Sequence, residues 1–406
     1  MRRAVITGMG AVTPLGIGVE EFWQRLTAGE RGLRPLTLFD PTGLRNDLVG
    51  EVSGWRFDPV EFGLSHEPDR ATQFLLHASR EALRAADQEG PDTVEATRGA
   101  ILSSNFGGAE AWEEFAHSLR EPPVEAEMLT EFDFAAAAHY LGQVVSLSGP
   151  VMTLSVACAS GSAAIGIAAD LVRSGAAESM LAGGHDCLAP SHLAGLSVLH
   201  TITSEDIRPF SKNRSGTLFG EGAAMVLVEE LEHARARGAE PLAEVLGSWQ
   251  NNNAFHITAP DEGGAGMARC LTRALEEAGL PPSEVDYINA HGTGTEHHDP
   301  AETEAIKAVL GSHAHEIGVS SIKGAIGHLM GAAGAIEVVA TVLALRDGML
   351  PPTMNLDEPD PACDLDYVPD VSRRQDITYA VSISAGIGGS NAVVVLGQVP
   401  SEAGAA

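Results

Sequence analysis

Short apolar segments alternate along this chain with longer segments that have helical periodicity. In the first half, residues 4–7, 100–103 and 223–228 have the composition of buried strands, and residues 74–85 have the spacing of an amphipathic helix. The second half repeats the alternation, with predicted helices at 267–278 and 334–346 and predicted strands at 285–288, 378–384 and 392–396. Because strands that alternate with helices form sheets covered by helices, the pattern predicts an α/β fold built in layers.

The length and composition of the chain allow two such units. Of its 406 residues, 44% are hydrophobic, which is enough to bury one or two sizeable cores. We predict an N-terminal unit at residues 1–245, a C-terminal unit at 246–406 and a loose tail at 400–406. Aromatic residues make up only 5% of the chain, so small and branched side chains must fill the cores.

The composition also argues against several classes of protein. A formal charge of −30 is unsuited to nucleic acids or anionic membranes as partners, and no apolar run reaches the roughly 18 residues of a membrane span. The apolar run at the start is interrupted by Gly8 and Gly10, so it is predicted to be a first strand and not a signal peptide. Four scattered cysteines do not form a disulfide framework, which predicts a cytoplasmic location.

A cysteine lies where a predicted strand turns into a predicted helix. Cys158 follows strand-like residues 153–156 and precedes residues 161–172, which are rich in Ala and Gly. Amide groups at the N-terminus of such a helix lower the pKa of a nearby thiol and donate hydrogen bonds to an oxyanion. An isolated cysteine is more often a buried structural residue, so this position alone does not establish a nucleophile.

Two other motifs each place a histidine at the end of a predicted strand or the start of a predicted helix. His291 lies in a Gly-rich loop directly after the strand-like run 285–288, and His328 precedes a segment of small residues. Side chains from distant elements can converge at such termini, so Cys158 and the two histidines are predicted to share one site. A single base is sufficient for hydrolysis, whereas two imidazoles beside one thiol indicate a different chemistry.

The three motifs resemble those of the β-ketoacyl-acyl-carrier-protein synthases, the condensing enzymes of fatty-acid and polyketide assembly. Residues 157–161 match the nucleophile motif, residues 291–295 the first histidine motif and residues 323–334 the second, and the resemblance extends over nearly the whole chain. It implies the thiolase-like duplicated fold, with five αβαβα layers. It also implies an acyltransferase with no metal and no permanently bound cofactor, whose substrates arrive on the phosphopantetheine arm of an acyl carrier protein.

The resemblance implies a role for each matching residue. Cys158 would take the acyl group from a carrier thioester. His291 and His328 would then donate hydrogen bonds to the enolate oxygen that forms when a carrier-bound malonyl group loses carbon dioxide. The carbanion would attack the acyl group on the cysteine, and the backbone N–H groups of Cys158 and Ile387 would hold the resulting oxyanion.

Five further expectations concern the surroundings of the histidines. Thr293 and Thr295 are implied to hydrogen-bond the pantetheine arm. Lys323 is implied to have an electrostatic and structural role, with Glu302 as its carboxylate partner, because a buried lysine without a partner tends to lose its proton. Asp299 is implied to accept structural hydrogen bonds around the histidine loop.

The chain departs from the family pattern in two ways that bear on its substrates. Ile387 replaces a gating phenylalanine between glycines, which puts acyl selectivity in doubt and predicts a differently controlled entrance. Residues 64–70, where a basic patch for the acidic carrier is expected, contain only one full positive charge. Either Arg208, Lys212 and Arg214 dock the carrier, or a partner subunit supplies the patch.

Three classes of function remain open. The first is a condensing enzyme, which would be a homodimer in fatty-acid elongation or a heterodimer with a homologous chain-length-factor subunit in a type II polyketide or polyene pathway. The second is a non-catalytic chain-length-factor-like subunit, which the presence of Cys158 disfavours. The third is a thiolase-like enzyme that uses coenzyme A, which Ala385 disfavours because thiolases have a second cysteine in that loop. The altered gate and the sparse patch favour the polyketide or polyene enzyme.

Two other motifs are not expected to bind cofactors. Residues 8–13 lack the third glycine of a dinucleotide fingerprint, and Pro14 interrupts the helix that should follow. The clusters at 296–299 and 313–316 contain histidines and carboxylates, but adjacent residues seldom present two ligands to one metal ion. We expect both clusters to be solvated loops.

Overall fold

Two mixed sheets with the same strand arrangement organise the protein, whose structure is a computed structural model that describes residues 2–89, 97–119, 131 and 133–399. The described strands are β1 (Ala4–Thr13), β2 (Gly16–Ile17), β3 (Arg34–Pro35), β4 (Leu48–Val49), β5 (Arg98–Ser103), β6 (Val151–Leu154), β7 (Ser179–Asp186), β8 (Gly222–Glu230), β9 (Ala243–Asn252), β10 (Tyr287–Asn289), β11 (Gly318–Ser320), β12 (Met349–Leu350), β13 (Arg373–Arg374), β14 (Tyr379–Gly386) and β15 (Ser390–Gly397).

The described α-helices are α1 (Val19–Thr27), α2 (Arg70–Ala85), α3 (Ala109–Ser118), α4 (Ala136–Val144), α5 (Ser160–Ser174), α6 (Pro190–Val198), α7 (Leu231–Ala236), α8 (Ala265–Ala278), α9 (His298–Leu310), α10 (Lys323–Ile326) and α11 (Ala333–Asp347). Short 3₁₀ helices lie at Pro59–Phe62, Glu262–Gly264, Pro282–Glu284, Gly311–His315 and Met330–Ala332. Among the described residues, no helix combines the length and the apolar character that crossing a membrane requires.

The two sheets show that the fold is duplicated. The first has the order β6-β5-β7-β8-β1 and the second has the order β11-β10-β14-β15-β9. In both, the first three strands are parallel and the last two join antiparallel. The sheets meet where β1 and β9 pair through two residues each. This repeat confirms the duplicated architecture that the resemblance implies.

Five layers follow from how the helices pack on the sheets. Helices α5 and α11 lie between the two sheets and contact each other and strands of both. Helices α2 and α4 cover the outer face of the first sheet, and α8 and α9 cover the outer face of the second. The order is therefore helix, sheet, helix, sheet, helix, as expected.

Small residues allow the two central helices to approach closely. A Cβ atom on Gly161 of α5 would lie only 2.3 Å from the backbone nitrogen of Ala335 of α11, so glycine is required there. Residues 333–345 of α11 are all buried, and their side chains are mainly Ala, Val, Ile and Leu. The expectation that small and branched side chains fill the core is confirmed at this contact.

Some sequence predictions differ from the structure in detail. The strand before Cys158 spans Val151–Leu154 and not residues 153–156. Gly8 and Gly10 lie within β1 and pack against the backbone of α2, and not in a nucleotide-binding loop. The division into units 1–245 and 246–406 stays a proposal, since β9 spans that boundary and pairs with both β1 and β15. The predicted tail at 400–406 lies outside the described residues.

Candidate active site

A sharp turn places Cys158 at the start of α5. Ala157 has φ of 53°, in the left-handed region that non-glycine residues seldom adopt. The turn packs against Gly386, where an added Cβ would lie 3.0 Å from the nitrogen of Cys158. Nδ2 of Asn105 lies 4.0 Å from the sulfur, and the backbone N–H of Ile387 favours the thiolate form of Cys158 by lowering its pKa. The role predicted for this N–H, holding an oxyanion together with the N–H of Cys158, stays a prediction.

Burial dominates the acidity of this thiol. Cys158 is 8% exposed, and desolvation raises the pKa of its thiol to about 11, although the charge of Lys323 and the N–H of Ile387 oppose the increase. The expectation that the helix terminus lowers this pKa is therefore wrong in its net direction. A thiolate at this enclosed position would depend on the hydrogen-bond donors and the positive charge around it for its stability.

His291 is held by hydrogen bonds on three of its groups. Its backbone N–H donates to Glu302 at 2.7 Å, and its carbonyl accepts from Nζ of Lys323 at 2.6 Å. Nζ of Lys323 also lies 3.3 Å from Nδ1 of the ring. Because a lysine ammonium can only donate, Nδ1 is the acceptor and the proton of the neutral ring lies on Nε2.

His328 has the same protonation for a different reason. Its Nδ1 accepts the backbone N–H of Met330 at 3.0 Å, which places the ring proton on Nε2. Met330 has φ of 53°, so this turn, too, adopts a conformation that is uncommon for a non-glycine residue. The centres of the His328 and His291 rings are 5.3 Å apart, at an angle of 83°.

Both imidazoles are neutral. Burial lowers the pKa of His291 and of His328 well below the ordinary value, and the positive charge of Lys323 lowers both further. Two neutral rings that each carry a proton on Nε2 are hydrogen-bond donors and not bases. The site thus places two N–H donors and one thiol around a shared space.

The sequence predicted Glu302 as the carboxylate partner of Lys323, and this prediction is wrong. The partner is Glu337. The ammonium and the Glu337 carboxylate form an ion pair in which each side chain is 1% exposed, and Ser384 also donates to Glu337 at 3.3 Å. Glu302 instead accepts the backbone N–H groups of His291 and Gly292. A single charged residue within the apolar run 333–345 is the signal that could have identified Glu337.

This ion pair leads to a prediction about stability. Glu337→Gln leaves the buried Lys323 without a carboxylate, and we expect it to lower the free energy of unfolding by about 3–5 kcal/mol. Glu304→Gln is the matched control, because it removes an exposed carboxylate paired with Lys307 and should change stability by less than about 1 kcal/mol. Urea unfolding of both variants measures the difference, and equal stability losses would contradict the assignment.

Two carboxylates shape the loop that carries His291. Asp299 accepts the backbone N–H groups of Phe210 at 2.7 Å and Gly294 at 3.1 Å. Burial raises the pKa of Asp299 to about 6 and that of Glu302 to about 8. Through the backbone hydrogen bonds that they accept, Asp299 and Glu302 hold the loop after β10 around their buried carboxylates.

A cavity of about 450 Å³ connects these residues to solvent. Cys158, His291 and His328 line its buried end, together with Thr293 and Thr295, whose hydroxyl oxygens are 3.0 Å apart. The structure therefore brings together the predicted nucleophile, both histidines and both threonines. Ile387 also lines the cavity, and its side chain is half-buried against an apolar cluster that contains Phe106 and Leu193. Lys323 does not itself line the cavity but contacts His291, which does.

His298 lies beside His291, although the sequence predicted a solvated loop at this position. Glu296 and His297 are exposed, but the side chain of His298 is only 16% exposed and its ring centre is 5.0 Å from that of His291. Its Nδ1 is 3.7 Å from Glu302, and burial lowers the pKa of the ring to about 4. The side chain is enclosed because α9 begins at this residue.

Most of the cations considered for carrier docking are engaged in ion pairs. Arg70 donates to the buried Glu221, and its own side chain is 15% exposed. Arg214 pairs with Asp360, and Arg208 pairs with Glu205 at 3.1 Å. Lys212 is exposed, with its backbone N–H bonded to Glu358. Arg208 and Arg214 therefore do not form a patch of unpaired positive charge on which an acidic carrier could dock.

Known proteins share both the sequence pattern and the fold. Residues 1–234 match the family profile of the β-ketoacyl synthase N-terminal domain, and residues 242–357 match that of the C-terminal domain. A 3-oxoacyl-[acyl-carrier-protein] synthase 2 of Coxiella burnetii is 38% identical over 98% of this chain and 99% of the relative. The tetracenomycin polyketide synthase ketoacyl synthase alpha subunit of Streptomyces glaucescens is 36% identical over 98% of this chain and 97% of the relative.

Two solved structures are similar throughout. One is a type II polyketide synthase acyl-carrier protein in complex with its ketosynthase, with a TM-score of 0.89, and the other is the ishigamide ketosynthase/chain length factor, with a TM-score of 0.90. Each is 33% identical and covers 98% of this chain and all of the matched chain. Fold and sequence together define a condensing acyltransferase. More narrowly, the chain belongs to the β-ketoacyl synthase family.

Proposed function

We propose that the protein condenses a Cys158-bound acyl chain with a carrier-bound malonyl group, as the ketosynthase of a type II polyketide or polyene pathway. The observation that carries the condensing chemistry is the pair of neutral imidazoles beside the thiol. The enolate formed by decarboxylation has a negative oxygen, which donors stabilise and a base does not. Nδ1 of His291 accepts a hydrogen bond from Nζ of Lys323, and Nδ1 of His328 accepts one from the backbone N–H of Met330. Both rings can therefore present Nε2–H to that oxygen.

The steps of the reaction then follow from the contacts. The thiol of Cys158 adds to the carbonyl carbon of a carrier thioester, the carrier sulfur leaves with the thiol proton, and an acyl-enzyme remains. His291 and His328 donate to the malonyl thioester oxygen as the carboxyl group leaves as carbon dioxide. The carbanion attacks the acyl carbon, the N–H groups of Cys158 and Ile387 hold the oxyanion, and cleavage of the C–S bond releases the extended chain.

The remaining site residues have supporting roles in this proposal. Thr293 and Thr295 offer hydroxyls to the pantetheine arm from the wall of the cavity. Lys323 orients His291 and keeps it neutral, and Glu337 balances the charge of Lys323. Substrates arrive on the phosphopantetheine arm of an acyl carrier protein, and the proposal needs no resident cofactor. All four cysteines are free thiols, which supports a cytoplasmic location.

An exposed sheet edge supports assembly with a homologous subunit. Strand β6 ends the first sheet and pairs only with β5 among the described strands. Val151 and Met152 on this strand are each 42% exposed. An edge with apolar side chains and unpaired backbone groups is suited to pairing with another chain. We propose that a chain-length-factor subunit covers this edge, and a second copy of this chain is the alternative that a fatty-acid enzyme would use.

Substitution of the edge tests both the assembly and the pathway. We expect Met152→Lys to prevent assembly, because it places a charge in the middle of the proposed contact, whereas Val60→Lys, at an apolar residue that is 78% exposed elsewhere, should assemble normally. Light scattering reports the assembly, and condensation is assayed with and without a co-expressed chain-length-factor homologue. Full activity of the chain alone as a homodimer would overturn the polyketide assignment and favour fatty-acid elongation.

A further inference from the structure

We propose that Arg45 and His200 form a subsite for the phosphodiester of the phosphopantetheine arm, at the mouth of the cavity that leads to Cys158. The inference rests on the proposed carrier-dependent function and adds the anionic group by which the arm is recognised. Both residues line the same cavity as the thiol and the two buried histidines. Arg45 and His200 are exposed, whereas Cys158 is buried, so the pair marks the open end of the cavity.

The contact between the two side chains leaves N–H donors of both free to bind an anion. Nη1 of Arg45 lies 3.2 Å from Nδ1 of His200. Because a guanidinium can only donate, Nδ1 of His200 is the acceptor and Nε2 carries the ring proton. The pair therefore presents the other N–H groups of the guanidinium together with the Nε2–H of the imidazole. A planar guanidinium with an adjacent donor matches the oxygens of a phosphodiester.

The backbone around Arg45 is tied to the segment that carries His200. The side-chain amide of Asn46 donates to the carbonyl of Thr203 at 3.0 Å and to that of Glu205 at 2.6 Å. These bonds hold the two halves of the subsite together before any ligand arrives. A site that is ordered in advance binds with a smaller loss of conformational entropy.

The charge distribution makes Arg45 the suitable cation at this entrance. Arg208 and Arg214, the arginines considered for docking near the cavity, are paired with Glu205 and Asp360. In the part of the chain that the structure describes, the side-chain partner of Arg45 is the imidazole of His200 and no carboxylate. In a protein with a formal charge of −30, an unneutralised cation at the cavity mouth attracts an anionic ligand locally.

The chemistry of the arm requires a phosphodiester at this end. The thioester and the phosphodiester are at opposite ends of the phosphopantetheine group. When the thioester carbonyl reaches Cys158 at the buried end of the cavity, the phosphodiester must lie towards the exposed end. Arg45 and His200 offer it a positive charge and an N–H donor there.

Three acyl donors separate recognition of the phosphate from other effects. Arg45→Ala is assayed with an acyl carrier, with the same acyl group on coenzyme A and with the acyl-pantetheine, which has no phosphate. We expect KM to rise about tenfold for the carrier and for coenzyme A, with kcat unchanged, and we expect no change for the acyl-pantetheine. Arg45→Lys keeps the charge but not the planar guanidinium, so its KM for the carrier and for coenzyme A should lie between those of the unaltered protein and Arg45→Ala. Arg56→Ala, at an exposed arginine that does not line the cavity, should change none of the three reactions.

Each other outcome overturns the inference in a recognisable way. An equal loss with the acyl-pantetheine means that Arg45 affects the shape of the cavity and not the binding of phosphate. A loss with the carrier alone means that Arg45 contacts the carrier protein itself. An unchanged KM for the carrier means that the subsite is not used. If the unaltered protein is acylated by none of the three donors, the proposed function fails and the inference fails with it.

Discussion

Replacing Cys158 with alanine is expected to abolish the acyl-enzyme and all condensation. No other described cysteine lines the cavity, so no thiol remains to accept the acyl group. Intact-protein mass spectrometry after incubation with an acyl carrier measures the adduct directly. The unaltered chain should gain the mass of one acyl group, and Cys158→Ala should gain none.

The matched control for this variant is Cys363→Ala. Cys363 is also a buried free thiol, and burial raises its pKa to about 12, but it packs in the outer core of the second sheet. This variant should be acylated at the same site and to the same extent as the unaltered chain. An acyl adduct that persists in Cys158→Ala, and is lost in Cys363→Ala, would mean that the nucleophile is misassigned.

Replacing His328 with alanine is expected to separate the two half-reactions. The ring donates from Nε2 to the enolate oxygen in the proposed mechanism, so its loss should lower malonyl decarboxylation and condensation by about 10²–10³-fold. Acylation of Cys158 should largely survive, because the thiol and the N–H of Ile387 are unchanged. The same division is expected for His291→Ala. Rates of carbon dioxide release and of acyl-adduct formation, measured in parallel, give the two values.

His315→Ala is the control for both histidine variants, because His315 is exposed and lies outside the cavity. It should leave both half-reactions unchanged. A histidine variant that condenses at the normal rate would exclude the two-donor mechanism. A variant that loses acylation and condensation equally would indicate that its ring acts on the thiol and not on the enolate.

The local features of the site could be predicted from the sequence, since each depends on a short motif. Cys158 lies at a strand-to-helix turn, and His291 and His328 lie beside glycines, so their positions at element termini follow from neighbouring residues. The alternation of strands and helices also predicted an α/β fold. The duplication was implied only by the resemblance, because strand order is decided by long-range pairing, such as that of β15 with β9, which periodicity does not contain.

What the sequence could not provide depends on burial and on contacts between distant residues. The lone charge in the apolar run 333–345 indicated that Glu337 is buried and needs a partner, but its pairing with Lys323 is a contact between two elements that the sequence does not specify. His298 was missed because it is enclosed at the start of α9, whereas Glu296 and His297 directly before it face solvent. The helix terminus predicted an acidic thiol at Cys158, but the enclosure of the sulfur raises its pKa.

The central claim is decarboxylative carbon–carbon bond formation, and isotope tracing tests it most directly. The unaltered protein, with its partner subunit if one is required, is incubated with an acyl carrier and with a malonyl carrier that is ¹³C-labelled at the free carboxyl carbon. We expect a carrier-bound 3-oxoacyl product extended by two carbons, with one labelled carbon dioxide released per product. Transfer or hydrolysis of the Cys158-bound acyl group, with no extended product and no labelled carbon dioxide, would contradict the claim.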